Sequence, residues 1–187
     1  MHCPYCNHQL RADAAECPSC RLTFPRAGTL LGAMPMLHPG LADSLALMSS
    51  NDHSRIRKRI ERLQRRFPQV VIQVVLHAFP PSHPFGLYAF WLFNGGILAG
   101  YARRGASNHA ILLLIDPDRG ESALMPGYGL EPFLRQETLD HLLELASPAW
   151  ADGRWAEGIL QVLEGLAQLL QAVAIPLSGQ VAEQGDF

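Results

Sequence analysis

After Cys20 the chain contains no cysteine, and from Phe67 to Ala102 it contains no aspartate, glutamate, lysine or arginine. The first absence confines thiol chemistry to the amino-terminal tip. The second calls for a membrane check, because Pro84–Ala102 is nearly all apolar and is closed by Arg103-Arg104. A spanning helix needs about 20 predominantly apolar residues. This stretch starts at a proline and is broken at Asn94-Gly95-Gly96, which is turn chemistry, so it reads as a buried helix followed by a turn. No apolar signal segment follows Met1, and reduced cysteines without one point to the cytosol. The glycines of 95–105 match neither a P-loop nor a dinucleotide fingerprint. No Ser-His-Asp set, paired histidines or cysteine beside a base offers a nucleophile.

What is present begins with two matching knuckles, Cys3-Pro4-Tyr5-Cys6 and Cys17-Pro18-Ser19-Cys20. Four thiolates in two C-x-x-C pairs can close a tetrahedron around Zn²⁺ and leave no coordination position open. A redox dithiol would need a thioredoxin-like βαβ context, and two disulfides would suit a secreted chain; neither fits a duplicated motif in this polar stretch. The expectation is a structural zinc ribbon over residues 1–25, too small to bury a core of its own and folded by its metal. His2 and His8 lie near enough to be spare ligands.

The 187 residues leave room for one globular domain, and 48% apolar with 17% charged residues excludes a disordered chain. Charge is uneven: residues 1–66 carry a balance of +5, residues 116–187 one of −9, and seven basic residues fall between Arg55 and Arg66. Residues 26–50 read as a linker with one short helix near Leu41–Met48. Ser50, Asn51 and Asp52 offer N-caps for an amphipathic helix on Ile56, Ile60, Leu63 and Phe67, whose other face is basic. Gln69–Ala78 and Ala110–Ile115 read as buried strands. A helix runs from Pro84 to about Phe93, and Asp116–Gly120 is hairpin chemistry returning through Glu121–Pro126. Helices follow at about Gln136–Ala146 and Trp155–Ala174, with Pro176 ending the last. His77 and His109, at strand ends, read as structural. A domain over 51–176 and a polar tail over 177–187 complete the division.

From Val70 to about Ala174 the order and local motifs resemble the TPM domain. The resemblance rests on the helix with Tyr88 and Phe93, a Gly-rich loop with Asn108, the strand ILLLIDPDR, Gly127-Tyr128-Gly129-Leu130-Glu131 and Pro148-Ala149-Trp150-x-x-Gly153-x-Trp155-x-x-Gly158. It implies an α/β fold: a Rossmann-like α/β/α sandwich with a small mixed sheet, here preceded by the ribbon. Some relatives show metal-dependent acid phosphatase activity or bind calcium; many act as accessory factors in protein assembly or stress responses. Relatives open the domain with Val-x-Asp before the first helix, and Ala42–Ser54, whose only carboxylates are Asp43 and Asp52, shows no clear copy.

Three functions follow as expectations. The favoured one is a cytoplasmic, non-catalytic adaptor with a protein partner, using the ribbon, the basic helix and the exposed part of Tyr88–Phe93. A Ca²⁺- or Mg²⁺-dependent phosphatase would gather Asp52, Asp116, Asp118 and Glu131 at the sheet's loop edge. Nucleic-acid binding would use the ribbon with Arg55–Arg66, and peripheral association with a membrane or membrane protein is a further expectation.

Overall fold

Strands buried on both sides need a layer on each face, and the core divides accordingly. The computed structural model describes residues 2–11, 14–35, 37–95 and 109–180, with side chains as far as residue 173. Its sheet has the order β1-β2-β3-β4: Leu41–Asp43, Val71–Leu76, Ala110–Asp116 and Glu121–Pro126. The first two pairings are parallel and the last antiparallel. Every residue of β2 and β3 is buried. Successive side chains alternate between faces. Ile72, Val74, Leu76, Ile111, Leu113 and Ile115 therefore join one core, and Val71, Val75, Ala110, Leu112 and Leu114 the other.

The first core is completed by α2 (Ser50–Arg66), α4 (Gln136–Ala151) and α5 (Trp155–Gln180). The second is completed by α1 (Phe24–Leu31), α3 (Phe85–Gly95) and the cysteine knuckles. This is the α/β/α sandwich, with the expected order of helices and strands. In α2, Ser49 accepts from the Asp52 N–H at 3.2 Å and is the N-cap, one residue earlier than expected. Among the described helices none is long and apolar enough to cross a membrane. The apolar run settles instead as α3, whose Phe85, Leu87, Tyr88, Trp91 and Leu92 are buried. That helix pairs with α1 through Phe24 and Phe90, ring centroids 6.3 Å apart. The Tyr88–Phe93 aromatics are thus mostly core and offer little as a contact surface.

Other expectations need correction. Leu41–Met48 is not a helix: Leu41–Asp43 pairs with Val74–Leu76 as an edge strand, and the helix of this region lies earlier, at Phe24–Leu31. Two apolar residues beside an open strand edge gain ladder hydrogen bonds that a single helical turn could not supply. Gln73, buried in the sheet, fixes the approach to β1. Its Oε1 accepts from Gly40 N at 2.9 Å and its Nε2 donates to His38 O at 3.0 Å. Helix α4 passes through Pro148 to Ala151, and α5 continues past Pro176 to Gln180. A proline removes one ladder bond, which a long packed helix tolerates. Asn108 and most of the Gly-rich loop lie outside the described residues.

The Trp150–Gly158 motif proves to be packing. Gly153 (φ 73°) ends α4, its N–H bonding Trp150 O at 2.9 Å while Arg154 N reaches Ala149 O at 2.8 Å. These are the two bonds of a Schellman cap, which favours glycine at this place. The chain then turns directly into α5, and a Cβ on Gly158 would overlap the Trp150 indole. Gly158→Ala is therefore expected to lower stability by about 1–3 kcal/mol through overpacking, read as a shift of the urea midpoint at constant m-value.

Candidate metal centre

Each knuckle is built by the same backbone device. Cys3 N donates to His8 O at 2.8 Å and Asn7 N to Cys3 O at 2.9 Å; Cys17 N donates to Leu22 O at 3.0 Å and Arg21 N to Cys17 O at 2.8 Å. The residue after each second cysteine, Asn7 or Arg21, has φ 57°. The proline after each first cysteine helps hold the turn. Two copies of one loop thus aim four sulfurs inward. The four Sγ atoms lie within 4.8 Å of one another, with Cys3–Cys20 at 3.6 Å and Cys6–Cys17 at 3.7 Å. A tetrahedral zinc with sulfurs at about 2.3 Å sets S···S edges of about 3.8 Å. The donor set fits that ion. His2 and His8 are not part of this group.

Burial bears on the thiols unequally. It pushes Cys20 up to about 12 and raises Cys3, while the hydrogen bond from the His8 backbone pulls Cys6 down to about 7. A bound cation removes that conflict by holding all four as thiolates. Cys3 and Cys17 are each 2% exposed and share the second core with Leu22, Phe85 and Trp91. Pro4 closes over Gly86, where a Cβ would come 3.4 Å from the Pro4 carbonyl oxygen, and Tyr5 lies 6.1 Å from the His83 ring. The ribbon therefore caps the N-terminal end of α3.

The expected carboxylate site does not assemble. Among the described residues, the four cysteines are the one group of three or more His, Cys, Asp or Glu side chains whose ligand atoms converge. Asp52 is engaged at the start of α2, with Ser49 Oγ donating to it at 2.7 Å and Arg55 at 3.1 Å. Asp116, fully buried at the end of β3, accepts from Phe79 N at 2.9 Å, Asp118 N at 3.1 Å and Arg119 N at 3.2 Å. Asp118 and Glu131 are exposed in turns. His77 follows β2, its N–H bonded to Ile115 O at 3.1 Å and its ring 4.6 Å from Phe79. Burial pulls this imidazole below its usual range, against the attraction of Asp116.

The carboxylate missed from the sequence is Asp43, at the end of β1. Its side chain is 1% exposed and accepts from His53 Nε2 at 2.9 Å, Met48 N at 3.0 Å and Leu47 N at 3.2 Å. Burial alone would raise its pKa; the His53 bond and the two backbone N–H groups outweigh burial and hold it below the usual carboxylate range. Leu41-Ala42-Asp43 is an apolar edge strand that ends in an aspartate just before α2. The signal was an aspartate closing a short apolar run, hidden once that run was taken for a helix.

Comparison with known proteins agrees with this architecture. The profile of the TPM domain matches residues 41–169, beginning at the first residue of β1. The solution structure of the N-terminal domain of a P. gingivalis protein is similar at TM-score 0.56 and 20% identity, over 71% of this chain and 82% of that one. The N-terminal domain of a Corynebacterium glutamicum protein gives TM-score 0.50 and 17% identity, over 74% and 84%. The BA42 protein of the psychrophilic bacterium Bizionia argentinensis gives 0.51 and 10%, over 68% and 84%. At these identities the likeness is one of fold. No curated protein matches the chain.

Two outcomes follow from this geometry. Purified protein should carry one zinc by elemental analysis. Cys3→Ser/Cys17→Ser should abolish it and lower the thermal midpoint of the whole domain, since both sulfurs sit in the second core. Asp43→Asn should cost about 2–3 kcal/mol, because charge-assisted bonds to buried donors are lost. A depressed carboxylate pKa contributes stability above its unfolded value of about 3.9 and loses it as pH falls through the folded value. The wild-type advantage over Asp43→Asn, measured by urea titration, should be full near neutrality and shrink below about pH 4.

Proposed function

The chain belongs to the TPM-domain family, and on that footing we propose that it is a zinc-ribbon TPM protein acting as a non-catalytic adaptor in protein assembly or stress response, in the cytoplasm. One observation carries the reading. The carboxylates at the ends of the parallel strands, Asp43 and Asp116, spend their oxygens on backbone N–H groups and on His53. A metal-dependent phosphatase needs several oxygen ligands free to converge on a hard cation, and among the described residues no set of three or more carboxylate or histidine side chains converges. A Cys₄ centre, for its part, keeps no open position for a substrate. Zinc serves the adaptor by fixing the amino-terminal tip against the sandwich, so that a partner meets the exposed side of the tip in one orientation.

The zinc-loaded protein should not hydrolyse a chromogenic phosphate ester above the buffer rate with Mg²⁺, Ca²⁺ or Mn²⁺. Turnover that disappears in Asp118→Asn/Glu131→Gln, two exposed positions whose change leaves the fold intact, would replace the adaptor with the phosphatase. Affinity capture from native cells should recover a reproducible protein partner that Cys3→Ser/Cys6→Ser loses.

A further inference from the structure

Helix α2 concentrates the chain's positive charge: seven basic residues between Arg55 and Arg66, six of them arginine. Its apolar side, Ile56, Ile60 and Leu63, is buried in the first core. At about 100° per residue, Arg55, Lys58, Arg59, Arg62, Arg65 and Arg66 fall within one arc of about 120°, on a ridge about 16 Å long. Some of these cations are engaged. Arg59 reaches Glu164 of α5 at 2.5 Å, Arg55 reaches Asp52 at 3.1 Å, and Arg66 lies 5.6 Å over the Phe67 ring. Lys58, Arg62 and Arg65 are exposed and have no acidic partner among the described residues; Arg57 lies about 80° outside the arc, beyond the exposed Glu61. Like charges so close repel one another, and nothing in the fold requires them.

We infer that the α2 ridge binds the phosphate backbone of a double-stranded nucleic acid, without reading its bases. The arginine bias suits phosphate, since the planar guanidinium fork binds its oxygens bidentately. No aromatic side chain stands in the arc to stack on unpaired bases, as single-strand binders require. Nor does an apolar one stand there to enter a bilayer. The rest of the helical layer narrows the choice further. α5 packs against both α2 and α4, and α4 exposes Glu137, Asp140 and Glu144. A flat anionic surface laid on this layer would meet those acids, whereas a rod can lie along α2 alone. The cysteine knuckles belong to the opposite face of the sheet and take no part. This contact is independent of the adaptor reading.

The test is fluorescence anisotropy of a labelled 16-base-pair DNA duplex and its RNA counterpart with the full zinc-loaded chain. Binding should be equal for unrelated sequences. It should weaken roughly 100-fold between 50 and 200 mM KCl, the counterion release of about four phosphate contacts. Arg62→Gln should lower the salt slope by about one contact. Lys58→Glu/Arg62→Glu/Arg65→Glu should abolish binding, with circular dichroism and zinc content reporting that it is folded; if it is not, the Arg62→Gln slope decides. A flat salt response overturns the inference. So does a folded triple variant that still binds, an Arg62→Gln slope equal to wild type, or capture by phosphatidylglycerol vesicles but not by either duplex.

Discussion

Four sulfurs brought within 4.8 Å, two of them sealed in a hydrophobic core, constrain everything else on that side of the molecule. Thiols so placed cannot all ionise without a cation, and neutral thiols would leave the knuckles with little to hold them. A small ribbon cannot bury enough surface to fold alone. This one escapes the limit twice, by its metal ligands and by lending Cys3 and Cys17 to the core over β2 and β3. The cysteine ribbon is therefore part of the second layer of the sandwich. It also accounts for the long uncharged stretch of sequence. α3 can be aromatic and apolar on most sides because the sheet, α1 and the knuckles surround it.

The opposite layer obeys a different economy. There α2, α4 and α5 follow the amphipathic rule, with a buried stripe inside and charge outside. Their junctions are fixed by local chemistry: Ser49 at the start of α2, Gly153 at the end of α4, and Gly158 making room for Trp150. Residues that look like a signature in the sequence here serve close approach between helices. The same holds at the strand ends. Asp116 ties the β3–β4 turn to Phe79, and Asp43 ties the β1–α2 turn to His53. Buried carboxylates need such donors.

Strong periodicity and turn chemistry made most of this legible beforehand. β2, β3, β4 and their order could be read because fully buried strands are continuous apolar runs bounded by proline or Asp-Pro-Asp. The cysteine spacing marked the four-sulfur cluster before any geometry. β1 was not legible: three residues carry no period, and their state depends on an edge supplied by residues more than thirty positions away. α1 was missed for a related reason. It has one buried residue, Ala27, and Thr23 with Pro25 was its main local signal. With β1 unread, Asp43 could not be placed at a strand end, and the proposed ligand set took exposed Asp118 and Glu131 instead.

The sheet also separates the two features that looked most like a joint binding surface. A ribbon and a basic helix near one another in sequence suggest a common grip on one partner. Their side chains belong to cores on opposite faces of β2 and β3, so a rigid partner cannot touch both without passing an edge of the sheet. A metal held by the four cysteines would accordingly act on any contact along α2 only indirectly, through the stability of the whole sandwich. The cationic ridge also differs in kind from the metal centre. The centre gathers four sulfurs, Cys3 and Cys17 of them buried, around one point, while the ridge keeps the exposed charges of Lys58, Arg62 and Arg65 without acidic partners on the layer that carries Glu137, Asp140 and Glu144 on its other flank. Charge left unpaired where the fold gains nothing from it is what a contact with another molecule would preserve.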